Sequence, residues 1–102
     1  MNLNALFLGK RIFETDHLIV VQHPKPTYSV HYLILPRQQI AGLRKLEPAS
    51  GFWQDVPVAI QELREKKLST DAGFRVIING GEYQDIPLLH LHFVSGDQHD
   101  QP

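Results

Sequence analysis

The 102-residue chain contains no cysteine. That absence excludes disulfide bonds, thiol nucleophiles and every zinc site built on cysteine. The chain also has no excess of charge of one sign, because ten Lys and Arg residues stand against eleven Asp and Glu residues. Such a balance does not favour a nucleic-acid or membrane-surface partner. No apolar run approaches the ~20 residues of a membrane-spanning helix. No signal peptide is evident in residues 1–10, so the sequence predicts a soluble, cytoplasmic protein.

The composition is that of one globular domain. Hydrophobic residues make up 42% of the chain, which is typical of a folded domain rather than a disordered segment. The length suits a single domain with a modest core. We predict one domain over residues 1–102, with a core at about 11–96 and a polar, flexible tail at 97–102.

Hydrophobic patterning predicts five strands and one main helix in the order β-β-β-α-β-β. The predicted strands are 11–13, 18–21, 30–35, 74–79 and 88–94. The loops between them are short enough for an antiparallel sheet, and a helix covering one face would complete a two-layer α+β domain.

The predicted helix has two candidate starts. Apolar residues spaced i, i+4 and i+7 between positions 56 and 63 define one helical face. Because Pro57 fits best in a first helical turn, Asp55 is the predicted N-cap. The alternative is a start at Ser50 with a kink at Pro57, which would place Phe52 and Trp53 in the helix.

Chemistry is most strongly indicated at the last predicted strand. His90 and His92 are two residues apart and therefore point to the same face. The alternating Leu89, Leu91 and Phe93 point to the other face, where they would pack on the helix. The histidines would then stand on the open face, within reach of a substrate.

Three interpretations of this pair compete at the level of the pattern. The first is two half-exposed strand histidines with no function. The second is a metal site, with His31 or an acidic residue as the third ligand. The third is nucleophilic catalysis, because a neutral imidazole is available at pH 7 and can attack phosphorus to form a covalent intermediate.

Segment 88–94, which reads LLHLHFV, resembles the motif of the histidine-triad (HIT) family, His-x-His-x-His followed by apolar residues. The resemblance extends over residues 11–96. Residues 11–16 (RIFETD) look like the family's opening hairpin, and residues 30–37 (VHYLILPR) look like its strand of the form Thr-His-x-Leu-x-Ile-Pro-Lys. Residues 73–79 (GFRVIIN) look like its strand ending in Asn before glycines. The resemblance implies a HIT-like fold.

The resemblance also implies roles for individual residues. His90 takes the middle triad position, which is the nucleophile toward the α-phosphate of a nucleotide derivative, and His92 takes the last, which contacts the phosphate region. Asn79 matches an Asn near the phosphate and leaving group. His31 matches a strand histidine behind the triad, and Gln84 matches a residue of the phosphate-side loop.

Three side chains depart from the family pattern. Leu88 replaces the first triad histidine, although its backbone carbonyl can still hold the other ring nitrogen of the nucleophile. His23 stands where many members have an acidic residue that binds ribose hydroxyls. Asp85 stands where a Ser helps to hold phosphate, and a carboxylate there repels an anionic phosphate unless it points away. The loop after Asn79 is about two residues short, and the family's extended C-terminus is missing.

The sequence therefore predicts a nucleotidyl hydrolase or transferase that acts on a nucleoside phosphoramidate or a related nucleotide without a cofactor. The alternatives are a catalytically impaired nucleotide-binding protein and a metal site built on His90, His92 and His31. The resemblance implies a homodimer in which central strands and helices pair across a two-fold axis. The sequence permits this, since Phe52, Trp53 and Val56 could supply an apolar patch. The resemblance also implies a base pocket lined by apolar residues such as Ile19 and Val21.

Overall fold

A computed structural model describes residues 10–98 of the chain. Its five strands form one antiparallel sheet in the order β1-β2-β3-β5-β4, with one long helix. Two short 3₁₀ turns occur at Leu43–Lys45 and Gly81–Tyr83. The prediction of an α+β fold with a five-stranded sheet and one main helix is confirmed. The elements are β1 Arg11–Glu14, β2 Leu18–Gln22, β3 Tyr28–Pro36, α1 Phe52–Lys67, β4 Arg75–Ile78 and β5 Leu91–Gln98.

Each face of the sheet carries its own apolar cluster. On one face, side chains of the inner strands pack against helix α1, as the alternation of apolar residues in the last strand predicts. On the other face, a smaller cluster lies on the same side of β5 as His92. The first cluster includes Leu18, Val20, Ile34, Phe52, Ala59, Leu63, Leu89, Leu91 and Phe93. The second comprises Ile19, Val21, Leu33, Leu35 and Leu88.

Helix α1 begins earlier than the Asp55 cap predicts. Gly51 precedes the first helical residue and has a left-handed backbone with φ of 93°, a conformation that favours glycine. The predicted Asp55 cap is therefore wrong, and the alternative start near Ser50 is closer. The Asp55 carboxylate instead accepts a 2.6 Å hydrogen bond from Thr15 Oγ1. This bond joins the helix to the β1–β2 turn.

The helix does not present the predicted apolar patch. Phe52 is 1% exposed and Val56 is 7% exposed, so both belong to the core under the sheet. Trp53 is partly buried against the same cluster. That prediction is wrong because the early helix start turns these side chains inward. Large apolar side chains are exposed at the other end of the sheet, at Phe74 and Ile78 beside the outer strand β4.

Strand boundaries differ from the predicted ones mainly in the last strand. Strand β5 begins at Leu91 rather than at residue 88, and it continues through Ser95 and Gly96 to Gln98. Two residues of the predicted tail, Asp97 and Gln98, are therefore in a strand, and residues 99–102 lie outside the described residues. Among residues 10–98, no helix is long and apolar enough to cross a membrane.

Candidate active site

The register of the sheet brings the histidines of two strands together. His92 of β5 pairs with Leu33 of β3, and His31 of β3 pairs with Val94 of β5. Directly paired residues share a face, so His31 and His92 lie on the face of the smaller apolar cluster. Their ring centroids are 5.1 Å apart. The sheet therefore aligns two imidazoles that are 61 positions apart in the chain.

His90 lies immediately before β5 and is fixed by the backbone. Its Nδ1 is 2.7 Å from the carbonyl oxygen of Leu88. A carbonyl can only accept, so Nδ1 carries the proton and Nε2 keeps its lone pair. His90 is only 6% exposed, so this face is less open than the strand pattern predicts. Its ring meets the ring of His92 edge-on at 4.9 Å.

The proton position on His31 follows from the same reasoning. The backbone N–H of Thr27 donates to His31 Nδ1 at 3.1 Å, and His31 Nε2 is 2.9 Å from His92 Nδ1. Because Nδ1 accepts this hydrogen bond, Nδ1 carries no proton of its own. A neutral His31 therefore has its proton on Nε2. His31 therefore donates to His92 Nδ1. A neutral His92 then presents an Nε2–H, which is a hydrogen-bond donor.

The loop between β2 and β3 supplies the backbone N–H groups that donate to two of the histidines. Pro24 and Pro26 have no N–H group. The N–H groups between and after them, of Lys25 and Thr27, each donate to a histidine: Lys25 donates to His23 Nδ1 at 2.9 Å. The His23 ring lies on the ring of His31, with the two centroids 4.2 Å apart. The alternating prolines thus leave one donor for each of two imidazoles.

Burial keeps the inner imidazoles neutral. Burial, and then the nearby His23, His92 and His90, lower the pKa of His31 to about 3. Burial is also the main cause that lowers the pKa of His92 to about 4, followed by the effects of His90 and His23. Burial, and then the charge of His90, lowers the pKa of His23. Hydrogen bonding to neutral rings therefore describes the site at physiological pH.

A metal-ligand cluster is present, although its members differ from the predicted set. His23, His31 and His92 each offer a ring nitrogen within 4.8 Å of the others, whereas the predicted set has His90 in place of His23. His90 Nδ1 is engaged by Leu88. Ligation through His31 Nε2 would require the proton on Nδ1, which faces the Thr27 donor. The geometry therefore favours the hydrogen-bonded cluster over a metal-bound one.

Asn79 and Gln84 occupy different positions relative to the histidines. Ile78 pairs with Leu91 in the β4–β5 ladder, and one further step of this register sets Asn79 beside His90. The Asn79 side chain makes no hydrogen bond to residues 10–98. In contrast, Gln84 donates both amide hydrogens, to the carbonyl of Ala41 at 2.6 Å and to that of Ile86 at 2.7 Å. Gln84 therefore holds two loops together.

Leu88 and Asp85, two of the three residues that depart from the family pattern, have different surroundings. The Leu88 side chain is 4% exposed and packs in the smaller apolar cluster with Ile19 and Val21, so its carbonyl alone faces the site. Asp85 is exposed, and its charge raises the pKa of His23 and of His92 against the larger effect of burial. The carboxylate therefore acts on the histidine cluster from the loop between β4 and β5.

Sequence reasoning missed the backbone groups of the site. The N–H groups of Lys25 and Thr27 have no side-chain signature. Only the run of alternating prolines signalled a constrained loop. The Tyr28 ring, which meets His31 edge-on at 5.5 Å, was also missed. So were Arg44 and Lys45, which line a cavity beside the loops that Gln84 joins.

The HIT domain family model matches residues 8–99 of the chain. Among curated proteins, a HIT-like protein of Chlamydia muridarum is 28% identical over 88 residues. That match covers 84% of this chain and 70% of the relative.

Two solved structures show the same fold. A histidine triad protein from Clostridium difficile superposes with a TM-score of 0.80 at 20% identity, covering 100% of this chain and 98% of that one. A HIT family hydrolase from Clostridium thermocellum superposes with a TM-score of 0.77 at 24% identity, covering 92% of this chain and 84% of that one.

Proposed function

The chain belongs to the HIT domain family, and on that premise we propose that it hydrolyses a nucleoside phosphoramidate through a nucleotidyl-histidine intermediate. The observation that carries the proposal is the 2.7 Å hydrogen bond from His90 Nδ1 to the Leu88 carbonyl. It leaves the Nε2 lone pair available as a nucleophile. It also stabilises the positive charge that the ring acquires when Nε2 bonds to phosphorus.

His92 complements this nucleophile. Its neutral ring accepts from His31 at Nδ1 and so offers an Nε2–H. The ring centroids of His90 and His92 are 4.9 Å apart. Such a donor suits a phosphoryl oxygen that gains charge in the transition state. Asn79 offers a free amide beside His90 for the same group. His23 offers an Nε2–H on the sugar side, because its Nδ1 accepts from Lys25.

The reaction has two steps. His90 Nε2 forms a bond to phosphorus as the phosphorus–nitrogen bond breaks, and the departing amine takes up a proton from solvent. Water then attacks phosphorus and loses a proton to solvent as the phosphorus–Nε2 bond breaks, which releases the nucleoside monophosphate and restores the His90 lone pair. Ile19 and Val21, which the resemblance implies as lining of a base pocket, are each 1% exposed within the smaller apolar cluster, so they do not line an open base site.

The test is single-turnover and steady-state hydrolysis of an adenosine phosphoramidate that carries a fluorogenic amine. We expect turnover in the wild type, none in His90→Ala, and unchanged turnover in His17→Gln as a matched histidine control. Acid quenching followed by mass spectrometry should reveal the adenylyl group on the peptide that contains His90. Equal turnover in His90→Ala would refute the nucleophile role.

A non-catalytic nucleotide-binding protein is the second candidate. The low exposure of His90 and the Asp85 carboxylate favour it, since both hinder approach of an anionic phosphate. It predicts mononucleotide binding by calorimetry with no product and no adenylylated peptide. Stoichiometric zinc in purified protein, lost with a chelator and in His23→Gln, would instead support a metal site at His23, His31 and His92.

We also propose a homodimer that forms through the outer strand β4. The strand lies at one edge of the sheet, and Phe74 and Ile78 beside it are 38% and 41% exposed. An unpaired edge with apolar neighbours is suited to strand pairing across a two-fold axis. Light scattering should give twice the chain mass, and Ile78→Lys should reduce it to the monomer mass.

A further inference from the structure

Solvent reaches two of the four clustered histidines, His23 and His92. Both are partly exposed, whereas His31 and His90 are 3% and 6% exposed. The His23 and His92 rings are nearly parallel, at 24°, and their centroids are 6.0 Å apart. On its other side, the His92 centroid lies 4.9 Å from that of His90. A ligand held at His90 therefore has His92 and then His23 as its neighbours.

Each of these two rings has an N–H group that the protein does not use. The Lys25 N–H donates to His23 Nδ1 at 2.9 Å, so a neutral His23 carries its proton on Nε2. Nδ1 of His92 is likewise engaged by His31. Within residues 10–98, neither Nε2–H donates to a protein acceptor. Burial lowers the pKa of both rings, so they are neutral at pH 7 and both N–H groups are free for a ligand.

The pair can donate hydrogen bonds but cannot accept them. The lone pair of each ring is on Nδ1, where Lys25 uses that of His23 and His31 uses that of His92. The hydroxyl hydrogens of a sugar need acceptors, whereas the oxygens of an anionic phosphoryl group only accept. Hydrogen bonds to an ionised acceptor are also about twice as strong as neutral ones. The pair is therefore better matched to a phosphoryl group than to a ribose diol.

The carboxylate whose charge acts on both rings, that of Asp85, comes from the other end of the sheet. His23 is in the turn before β3, at the end of that strand that begins with Tyr28. Asp85 is in the loop before β5, whose first residue Leu91 pairs with Ile34 near the opposite end of β3. A sugar held against His23 therefore meets an imidazole donor rather than a carboxylate.

The apolar side chains beside the rings do not offer an open surface to a base. Ile19, Val21 and Leu33 lie on the same face of the sheet as His31 and His92. Each of the three is 1% exposed. The phosphoryl group is therefore the part of a nucleotide that these residues can recognise.

In-line attack determines where donors are needed. When His90 Nε2 approaches phosphorus opposite the departing nitrogen, the two non-bridging oxygens and the ester oxygen lie around the line of attack. Donors placed to the side of the nucleophile then stabilise the charge on the non-bridging oxygens in the transition state. The two Nε2–H groups beside His90 supply one donor for each of these oxygens.

We propose that His92 and His23 each donate to one non-bridging oxygen of the phosphoryl group, and that the site selects the phosphoramidate without selecting the ribose hydroxyls. This inference rests on the proposed function and defines its substrate class as phosphoramidate monoesters in which ribose and dideoxyribose are equivalent. His23 is then a catalytic residue, because it touches the reacting group.

The first arm of the test compares 5′-phosphoramidates of adenosine and of 2′,3′-dideoxyadenosine that carry the same fluorogenic amine. We expect equal kcat/KM values for the wild type, because no acceptor faces the hydroxyls. In His23→Asp a carboxylate accepts from them, so kcat/KM for adenosine should exceed that for the dideoxy compound about tenfold, the effect of one hydrogen bond to a charged group. His17→Asp, which makes the same change outside the cluster, should keep the two values equal.

The second arm tests the contact between His23 and phosphoryl oxygen. Sulfur in place of one non-bridging oxygen gives two diastereomers of the adenosine compound, and sulfur is the weaker acceptor. Each diastereomer should react about tenfold more slowly than the oxygen compound in the wild type. His23→Phe keeps a ring against His31 but has no N–H. In this variant one diastereomer should lose its penalty, and the other, whose sulfur faces His92, should keep it.

The outcomes separate the two levels of inference. Absence of His90-dependent turnover of the adenosine compound would overturn the proposed function and, with it, this inference. Three results obtained with His90-dependent turnover would overturn this inference alone. They are a wild-type preference for adenosine, whether or not Asp85→Asn removes it, equal rates on the two sugars in His23→Asp, and sulfur penalties that are unchanged for both diastereomers in His23→Phe.

Discussion

Acidification should destabilise this protein well above the pH at which its carboxylates titrate, because the inner histidines are buried as neutral rings. In the unfolded chain a histidine has a pKa of about 6.5, whereas the folded pKa is about 3 for His31 and about 4 for His92. Between these values the unfolded state binds more protons than the folded state. The free energy of unfolding therefore falls as the pH falls from 7 toward 4.

The magnitude follows from the same values. At pH 5 an unfolded histidine is almost fully protonated, and folded His31 is almost fully neutral. Relative to pH 7.5, this difference lowers the free energy of unfolding by about 2 kcal/mol for His31. His92 is partly exposed, and solvent screening reduces its contribution to about 1 kcal/mol. The pair should therefore account for about 3 kcal/mol, which is a large part of the 5–15 kcal/mol typical of a domain.

The assay is guanidinium unfolding at pH 7.5, 6 and 5, for the wild type and for His31→Gln/His92→Gln. The double variant should be less stable than the wild type at pH 7.5, because it disturbs the cluster. Its stability should change much less with pH, since the two groups that bind the extra protons on unfolding are absent. A pH dependence equal to that of the wild type would refute the buried neutral cluster. Titration of the histidine ring carbons by NMR would assign each pKa separately.

Three further variants test the packing around the site. Leu88→His introduces the residue that the family motif has at this position, but it places an imidazole in an apolar cluster. It should therefore lower the free energy of unfolding by about 2 kcal/mol without raising turnover. A gain in kcat would show that a side chain at position 88 contributes to catalysis. Gly51→Ala would set a Cβ 2.5 Å from the His17 ring at a φ of 93°, and calorimetry should show a loss of about 2 kcal/mol. Gly73→Ala, whose Cβ meets nothing within 4 Å, is its control, and an equal loss in both would contradict the steric explanation. Gln84→Ala should cost about 1–2 kcal/mol and speed amide exchange in residues 80–87, and unchanged exchange there would count against the clamp.

Much of the fold could be predicted because two periodicities dominate the sequence. Alternation in the last strand separates Leu91 and Phe93 from His92, and the structure places these residues on opposite faces as predicted. The start of the helix could not be predicted in the same way. Pro57 suggested that the helix begins near Asp55. The helix instead begins at Phe52, because burial of this apolar side chain under the sheet is favourable and because Gly51 can adopt the left-handed backbone that precedes the helix.

The site was predictable only as far as side chains define it. His90, His92, His31 and His23 were named from the motif and the resemblance, and the structure brings all four rings together. The direction of each hydrogen bond was not predictable. It depends on backbone groups whose position follows from the loop path rather than from residue type. The candidate metal cluster differs from the predicted set in one member, because sequence spacing cannot show that the loop between β2 and β3 brings the His23 ring onto the His31 ring.

The carbonyl of Leu88 has a consequence for how this domain tolerates genetic change. Main-chain atoms persist through almost any substitution, so the carbonyl that accepts from His90 Nδ1 does not depend on which side chain stands at position 88. The same holds for the amide groups of Lys25 and Thr27, which only a mutation to proline would delete. A lineage could therefore exchange these side chains, within the limits that packing sets at Leu88, and keep the backbone hydrogen bonds to its imidazoles.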